Sequence, residues 1–268
     1  MSHTYNIDDL RYLMSRLRDS DTGCPWDIKQ TFKTIALFTV EEVYEVVDAI
    51  ERGDIEHLSE ELGDLLFQII FYSQLGAEDA VFDWDIIVSR ITEKLIRRHP
   101  HVFPDGTLQS VRSPDLVFDL KAINKQWEET KKRERAGKGE DGVMADIPLA
   151  MPALNRAQKL QKRASSVGFD WTDPKDVLAK VKEEIAELEV EIMRDDKVAM
   201  EDEMGDLLFS CVNLARHLSV DPEKAMRSAN NKFKRRFEAM ESLASGERLS
   251  SMSADDLESL WCAVKARE

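Results

Sequence analysis

The sequence predicts an all-α protein made of two tandemly duplicated helical bundles, and three observations predict it. The 268 residues hold only 11 Gly and 8 Pro, and alternating β-branched runs are few. Apolar residues recur at three- and four-residue spacing through 40–50, 62–75, 86–96, 177–192, 204–218 and 225–240, the period of a helix with one buried face. The two halves of the chain also resemble each other.

The repeat is the strongest organisational signal. The first half reads GCPWD, EEVYEVVDAI, EELGDLLFQIIF and KLIRR, then Trp127. The second reads GFDWTDP, EEIAELEVEI, DEMGDLLFSCVNL and KFKRR, then Trp261. Glu42, Glu45, Glu61 and Asp64 map onto Glu184, Glu187, Glu203 and Asp206 at one constant offset of 142 residues. The flanking elements drift by a few residues, as changes in loop length produce. Asp173-Pro174, Asp221-Pro222 and Ser113-Pro114 each set a capping side chain before a proline suited to the first helical position. The stretch 133–148, with Gly137, Gly139 and Gly142 and no apolar period, reads as a linker between domains at 1–132 and 149–268.

The composition, 43% hydrophobic and 33% charged, is that of a soluble globular chain, long enough for two domains with a core each. A formal net charge of −15 repels phosphate backbones and argues against nucleic acid as a partner. A nucleotide remains possible if a divalent cation stands between protein carboxylates and phosphates. Cys24, Cys211 and Cys262 are odd in number and widely spaced, which fits a reducing compartment and argues against a disulfide scaffold or zinc site. The N-terminal stretch has no apolar core of signal-peptide type, and no apolar run reaches membrane-spanning length, so a cytoplasmic protein with no membrane partner is expected.

Chemistry enters with the acidic pairs. Glu184/Glu187 and Glu203/Asp206 stand at i, i+3 on consecutive helices, with Glu183 adding an i, i+4 neighbour to Glu187. If the two helices pack antiparallel, four carboxylates converge. Among 52 acidic residues a lone pair of this kind is usually a solvated face. Here Asp64 precedes LLFQIIF, Asp206 precedes LLFSCVNL, and the whole arrangement occurs twice. Carboxylates beside apolar helix are costly unless they are paired or bind metal. All four candidates offer oxygen and no Glu-x-x-His occurs, which suits Mg²⁺, with Mn²⁺ as a substitute, and not a di-iron site.

Basic pairs follow each acidic set: Lys94 and Arg98 in the first half, Lys232 and Arg236 in the second, both i, i+4. One such pair alone reads sooner as a solvated face or as ion pairs with neighbouring acids, but its repetition favours a phosphate clamp. Trp127 and Trp261 either stack on a base or pack in a core. Trp26 and Trp171 are either packing anchors or pocket walls. A phosphate-cradling GxxxxGK[ST] loop, a dinucleotide-binding GxGxxG after a strand and a Ser/His/Asp setting are all missing.

The runs E41-E42-V-Y-E45 with E61-L-G-D64, and E183-E184-I-A-E187 with E203-M-G-D206, resemble the EExxE…ExxD motif of the MazG nucleoside triphosphate pyrophosphohydrolases. With GCPWD, RRHPHVF and the GDLLF runs, the resemblance covers essentially the whole chain and is to the two-domain bacterial type. It implies an all-α nucleotide pyrophosphatase fold, a homodimer, Mg²⁺ dependence, and hydrolysis of ribo- and deoxynucleoside triphosphates to monophosphate and pyrophosphate. It also implies an active C-terminal repeat and a structural or weakly active N-terminal one. Glu184, Glu187, Glu203 and Asp206 would then hold metal, with Glu183, Glu184 and Glu187 catalytic. Lys180 and Glu183 would border the nucleotide, Lys232 and Arg236 would bind phosphates, and Trp261 would pack on base or sugar. The N-terminal repeat keeps Glu42, Glu45, Glu61, Asp64, Lys94 and Arg98 as a possible second site, and Lys131, just beyond Trp127, would also contribute from that repeat. Two other readings are a house-cleaning pyrophosphatase confined to non-standard nucleotides and a non-catalytic helical scaffold that binds a partner protein.

Overall fold

A computed structural model describes residues 4–113, 115, 119–137, 142–244 and 248–267. Those residues form helices and turns, with no strand among them. The chain divides into two compact units, residues 1–130 and 131–268.

The first unit contains α1 (Ile7–Leu17), α2 (Phe32–Arg52), α3 (Ile55–Glu78) and α4 (Trp84–Arg98); α5 (Leu120–Ala136) runs across the division. Each start has a local cause. Asn6 accepts from the amides of Asp8 and Asp9 while Asp9 reaches back to the Asn6 amide, and Thr31 and Thr34 make the same reciprocal pair before α2. α3 packs against α1, α2 and α4. Met14, Ile35, Ile70, Phe71 and Leu75 are buried at that junction, with Phe32, Phe67, Tyr72 and Trp84 packed around them. Arg18 lies over the Phe71 ring at 5.3 Å, sets its Nε 2.9 Å from Glu78 Oε1, and donates to the carbonyls of Asp27 and Gln30. It ties the GCPWD loop to the C-terminal end of α3.

The second unit contains α6 (Ala153–Ser165), α7 (Pro174–Arg194), α8 (Lys197–His217), α9 (Pro222–Leu243) and α10 (Ala254–Lys265). Asp173 and Asp221 cap α7 and α9, with Pro174 and Pro222 in the first turn, as the sequence predicts. α7 and α8 pack along each other, α6 and α9 both lean on α8, and α10 lies on α9. Val177, Val181, Leu188, Val212, Met240 and Val264 are buried. Gln161 of α6 donates its Nε2 to the Phe209 carbonyl at 2.8 Å.

One expectation needs correction, and another falls outside the described residues. α5 continues through Arg133–Ala136 into the stretch read as linker, because these residues are good helix formers; only at Gly137 does the helix end. Residues 138–141, Gly139 among them, lie outside the described residues, and 142–148 form turns. Pro114 also lies outside them; the helix next described begins at Leu120, where Asp119 Oδ1 accepts from the Lys121 amide at 3.1 Å.

The same two-residue turn joins the acidic helices in each unit. Gly53 (φ 71°) and Asp195 (φ 56°) close α2 and α7 in the left-handed conformation, and Asp54 and Asp196 then cap α3 and α8. Gly53→Ala should cost about 1 kcal/mol in urea unfolding, since a methyl there meets nothing within 4 Å and only the backbone conformation is penalised. Asp195→Gly should gain a comparable amount.

In the second unit the loop tie is carried by Asp170 of the GFDW run. Arg216 Nη1 donates to Asp170 Oδ2 at 2.9 Å, His217 Nε2 lies 2.9 Å from Asp170 Oδ1, and Arg216 Nε donates to Asn213 Oδ1 at 3.0 Å. The Arg216 hydrogen bonds, above all, hold the Asp170 carboxyl well below the usual carboxylate range. A depressed acid contributes stability above its unfolded-state pKa of about 3.9 and loses it as pH falls toward the folded value. With side chains 20% and 17% exposed, Asp170→Asn should cost about 2 kcal/mol at pH 7. The gap to wild type should narrow below about pH 4, as compared by urea melts at both pH values.

Candidate active site

The α7–α8 turn decides which carboxylates meet. Glu184 and Glu187 sit one turn apart on α7 and face Glu203 on α8; one oxygen from each lies within 4.8 Å of the others. Glu42, Glu45 and Glu61 form the same group across α2 and α3. Three of the four expected acids therefore converge in each repeat. Asp64 and Asp206 are exposed and lie outside that convergence, yet their charges help raise the pKa of Glu42 and Glu203.

Loss of hydration is the leading cause of the electrostatic strain. It raises Glu187 and Glu203, and the neighbouring acids add to it: Glu184 on Glu187, and Glu187, Glu184, Asp206 and Asp202 on Glu203. Glu42 is likewise raised, first by burial, then by Asp64, Glu45 and Glu61, while a hydrogen bond with Gln68 opposes the shift. Glu61 is raised first by burial, with His57 opposing and Glu45 and then Asp64 adding to the rise.

The two clusters differ in which carboxylate is deepest. In the second repeat it is Glu184, 4% exposed; in the first it is Glu61, 6% exposed. Each has a basic residue one helical turn earlier. Lys180 Nζ lies 2.7 Å from Glu184 Oε1 and 2.8 Å from Glu183 Oε1, while His57 Nε2 lies 2.9 Å from Glu61 Oε1. The hydrogen bonds that Lys180 donates to Glu183 and Glu184 raise its pKa above its ordinary value. Glu183 itself points to solvent.

The basic and aromatic candidates of the second unit lie on α9 and α10. Lys232 is exposed on α9 and Arg236 is half-buried, its guanidinium 5.6 Å from the Trp261 ring centroid. Trp261 is half-buried on α10 and meets Phe233 at 5.4 Å. In the first unit Lys94 and Arg98 are half-buried on α4, and Trp127 donates its Nε1 to the Arg98 carbonyl at 2.7 Å. Lys131 is half-buried one turn beyond Trp127 on α5. Trp26, 52% exposed, meets Phe38 edge-on at 5.7 Å, and Trp171 is also exposed, so neither anchors a core.

His57 and Gln68 escaped the sequence reading. The i, i+4 spacing of His57 and Glu61 is a legible signal, whereas the meeting of Gln68 with Glu42 needs two helices in register.

The donor set fits a hard divalent ion: oxygen only, closely spaced, partly desolvated and mutually repelled. The profile of the MazG nucleotide pyrophosphohydrolase domain matches residues 30–103 and 172–240, one segment in each repeat. The chain belongs to the MazG family. It is 47% identical over 266 residues to the nucleoside triphosphate pyrophosphohydrolase of Escherichia coli (strain K12), covering 98% of each chain. It is 41% identical over 261 residues to the nucleoside triphosphate pyrophosphohydrolase/pyrophosphatase MazG of Thermotoga maritima, covering 97% of this chain and 95% of that one. With the family, the chain is an enzyme, a hydrolase acting on phosphoric anhydride bonds.

Glu203→Gln removes one repelling charge and one candidate ligand together. At neutral pH it should raise the melting temperature in chelator and shrink the further rise on adding Mg²⁺, read by differential scanning fluorimetry.

Proposed function

We propose that the C-terminal domain, residues 149–268, hydrolyses nucleoside triphosphates between the α and β phosphates, with Mg²⁺ as the natural ion and Mn²⁺ as a substitute. The convergence of Glu184, Glu187 and Glu203 within 4.8 Å carries this reading. Asp206, exposed outside that group but with its charge felt at Glu203, is proposed as a fourth ligand. When bound, the ion supplies the positive charge that lets an acidic surface accept a polyphosphate, and it acidifies water. The water oxygen bonds to the α-phosphorus as the bridging oxygen leaves with pyrophosphate, giving the monophosphate. Glu183, solvated and next to Lys180, orients the water and takes its proton. Glu184 and Glu187 keep the attacking side of the cluster charged. Lys180 borders the nucleotide, Lys232 and Arg236 hold the departing phosphates, and Trp261 offers its face to the base or sugar. The proposal takes ribo- and deoxynucleoside triphosphates alike as substrates.

The N-terminal domain, residues 1–132, takes a structural or weakly active role on this reading. Its cluster of Glu42, Glu45 and Glu61, with Asp64, Lys94 and Arg98, is a possible second site. It has Phe38 where the C-terminal repeat has Lys180, so it lacks that ammonium beside the acids. A homodimer is supported by apolar side chains that α7 and α8 leave exposed, Leu178, Ile185, Ile192, Met204 and Leu208 among them. No helix among the described residues is long and apolar enough to cross a membrane, in keeping with a cytoplasmic enzyme.

Incubation with each nucleoside triphosphate and Mg²⁺ should yield monophosphate and pyrophosphate by anion-exchange chromatography. Diphosphate with orthophosphate would place the cut elsewhere. Glu184→Ala should lower kcat/KM at least about a hundredfold, while Glu42→Ala stays near wild type. The opposite pattern would move the active centre to the N-terminal repeat.

A further inference from the structure

The two repeats carry the same acids but neutralise them differently. In the C-terminal cluster the deepest carboxylate, Glu184, is held by a lysine on its own helix, with Lys180 Nζ at 2.7 Å. In the N-terminal cluster the deepest carboxylate, Glu61, is held by a histidine, and the position equivalent to Lys180 is Phe38. Lysine is a permanent cation at neutral pH; histidine is one only when protonated. The C-terminal cluster thus contains a permanent counter-charge in Lys180, and the N-terminal cluster has His57 in that role.

A single ammonium is a poor match for three gathered carboxylates. Lys180 bonds Glu184 and the solvated Glu183 and offsets Glu187 only through space, too little to cancel the loss of hydration and the neighbouring acids. Glu203 is raised by desolvation and by the surrounding acids with no such offset. A dication drawn in by that residual charge meets Glu184 already engaged. Ammonium and dication repel each other at such range, so both cannot hold Glu184 at full strength. Lys180 is also able to leave: its side chain is one-third exposed, on a flexible four-carbon stem, and Glu183 alongside is more than half exposed. Once released, three N–H donors stand next to the acids, and a polyphosphate is the acceptor that this enzyme class brings there.

We propose that Lys180 is the resident counter-ion of the C-terminal cluster, closing it in the metal-free enzyme and transferring to the substrate's phosphates when a divalent ion takes its place on Glu184. The inference rests on the C-terminal cluster being the metal site. Its consequence is a positive coupling between metal and nucleotide: each removes an obstacle to the other, and reciprocity makes the two enhancements equal. Metal alone binds weakly because Lys180 must first be displaced without a new partner. Nucleotide alone binds weakly because Lys180 is occupied and the acids repel phosphate.

The test is calorimetric titration of the full-length protein with Mn²⁺ alone, then with Mn²⁺ in the presence of an α,β-methylene nucleoside triphosphate. All proteins carry Glu42→Gln so that the N-terminal cluster is weakened. Lys180→Met should tighten Mn²⁺ binding about tenfold without nucleotide, and the enhancement given by the analogue should shrink by the same factor. Lys180→Arg, which keeps the cation, should bind Mn²⁺ as the parent does. Unchanged or weaker Mn²⁺ binding by Lys180→Met would overturn the counter-ion role. Glu184→Gln separates the two claims. If it abolishes Mn²⁺ binding while Lys180→Met fails to tighten it, the metal site stands and the counter-ion idea falls; Mn²⁺ binding untouched by Glu184→Gln would remove the metal site itself.

Discussion

Everything in the second repeat turns on carboxylates that would separate if they were free to do so. Glu184, Glu187 and Glu203 are held together by covalent and packing constraints and not by mutual attraction. The two-residue turn at Asp195–Asp196 returns α8 along α7, and the burial of Val177, Val181 and Leu188 on one side and Val212 on the other locks the pair in register. The apolar contact between the helices is what offsets the repulsion. On the proposed reading, the cost of gathering like charges is met during folding, and an arriving divalent ion would meet the acids already together, with only Lys180 to displace from Glu184.

The duplicated repeat shows which parts of that arrangement are tightly constrained and which are interchangeable. Both repeats use a left-handed residue followed by an aspartate cap between the acidic helices. Both tie the tryptophan-bearing loop to the far end of the second acidic helix with an arginine–carboxylate contact. The polarity of that tie is reversed. Arg18 reaches from α1 to Glu78 of α3 in the first unit, whereas Asp170 in the loop receives Arg216 of α8 in the second. Either order closes the loop onto the helix, because the energy lies in the pair and not in which element supplies the charge. The counter-charge on the acids is interchangeable in the same sense but not equivalent in effect, since Lys180 is permanently charged and His57 is not.

Helices with strong apolar period or a proline-assisted cap are plain in the sequence: α2, α3, α4, α7, α8 and α9 each contain a stretch marked by that spacing. α6 is not, for a physical reason. It is short and basic, Pro152 precedes it with no side-chain cap, and its identity as a helix comes from leaning on α8 and α9. α5 outran its expected end because the charged residues after Thr130 favour helix as readily as they favour solvent. The drift between repeats also has a simple source: α3 is 24 residues long and α8 is 21, so the basic helices begin at different distances from the acids.

The sequence by itself determined the helical class, the duplication and the identity of the acids, because period and spacing along one helix are properties of the chain alone. It could not rank the acids. That Glu184 is deepest in one cluster and Glu61 in the other, that Asp64 and Asp206 stand outside the convergence, and that Gln68 reaches Glu42 were decided by the tertiary structure. Depth and cross-helix contact depend on how two helices are rotated against each other, and that rotation is set by the summed packing of the whole unit and not by any local run of residues.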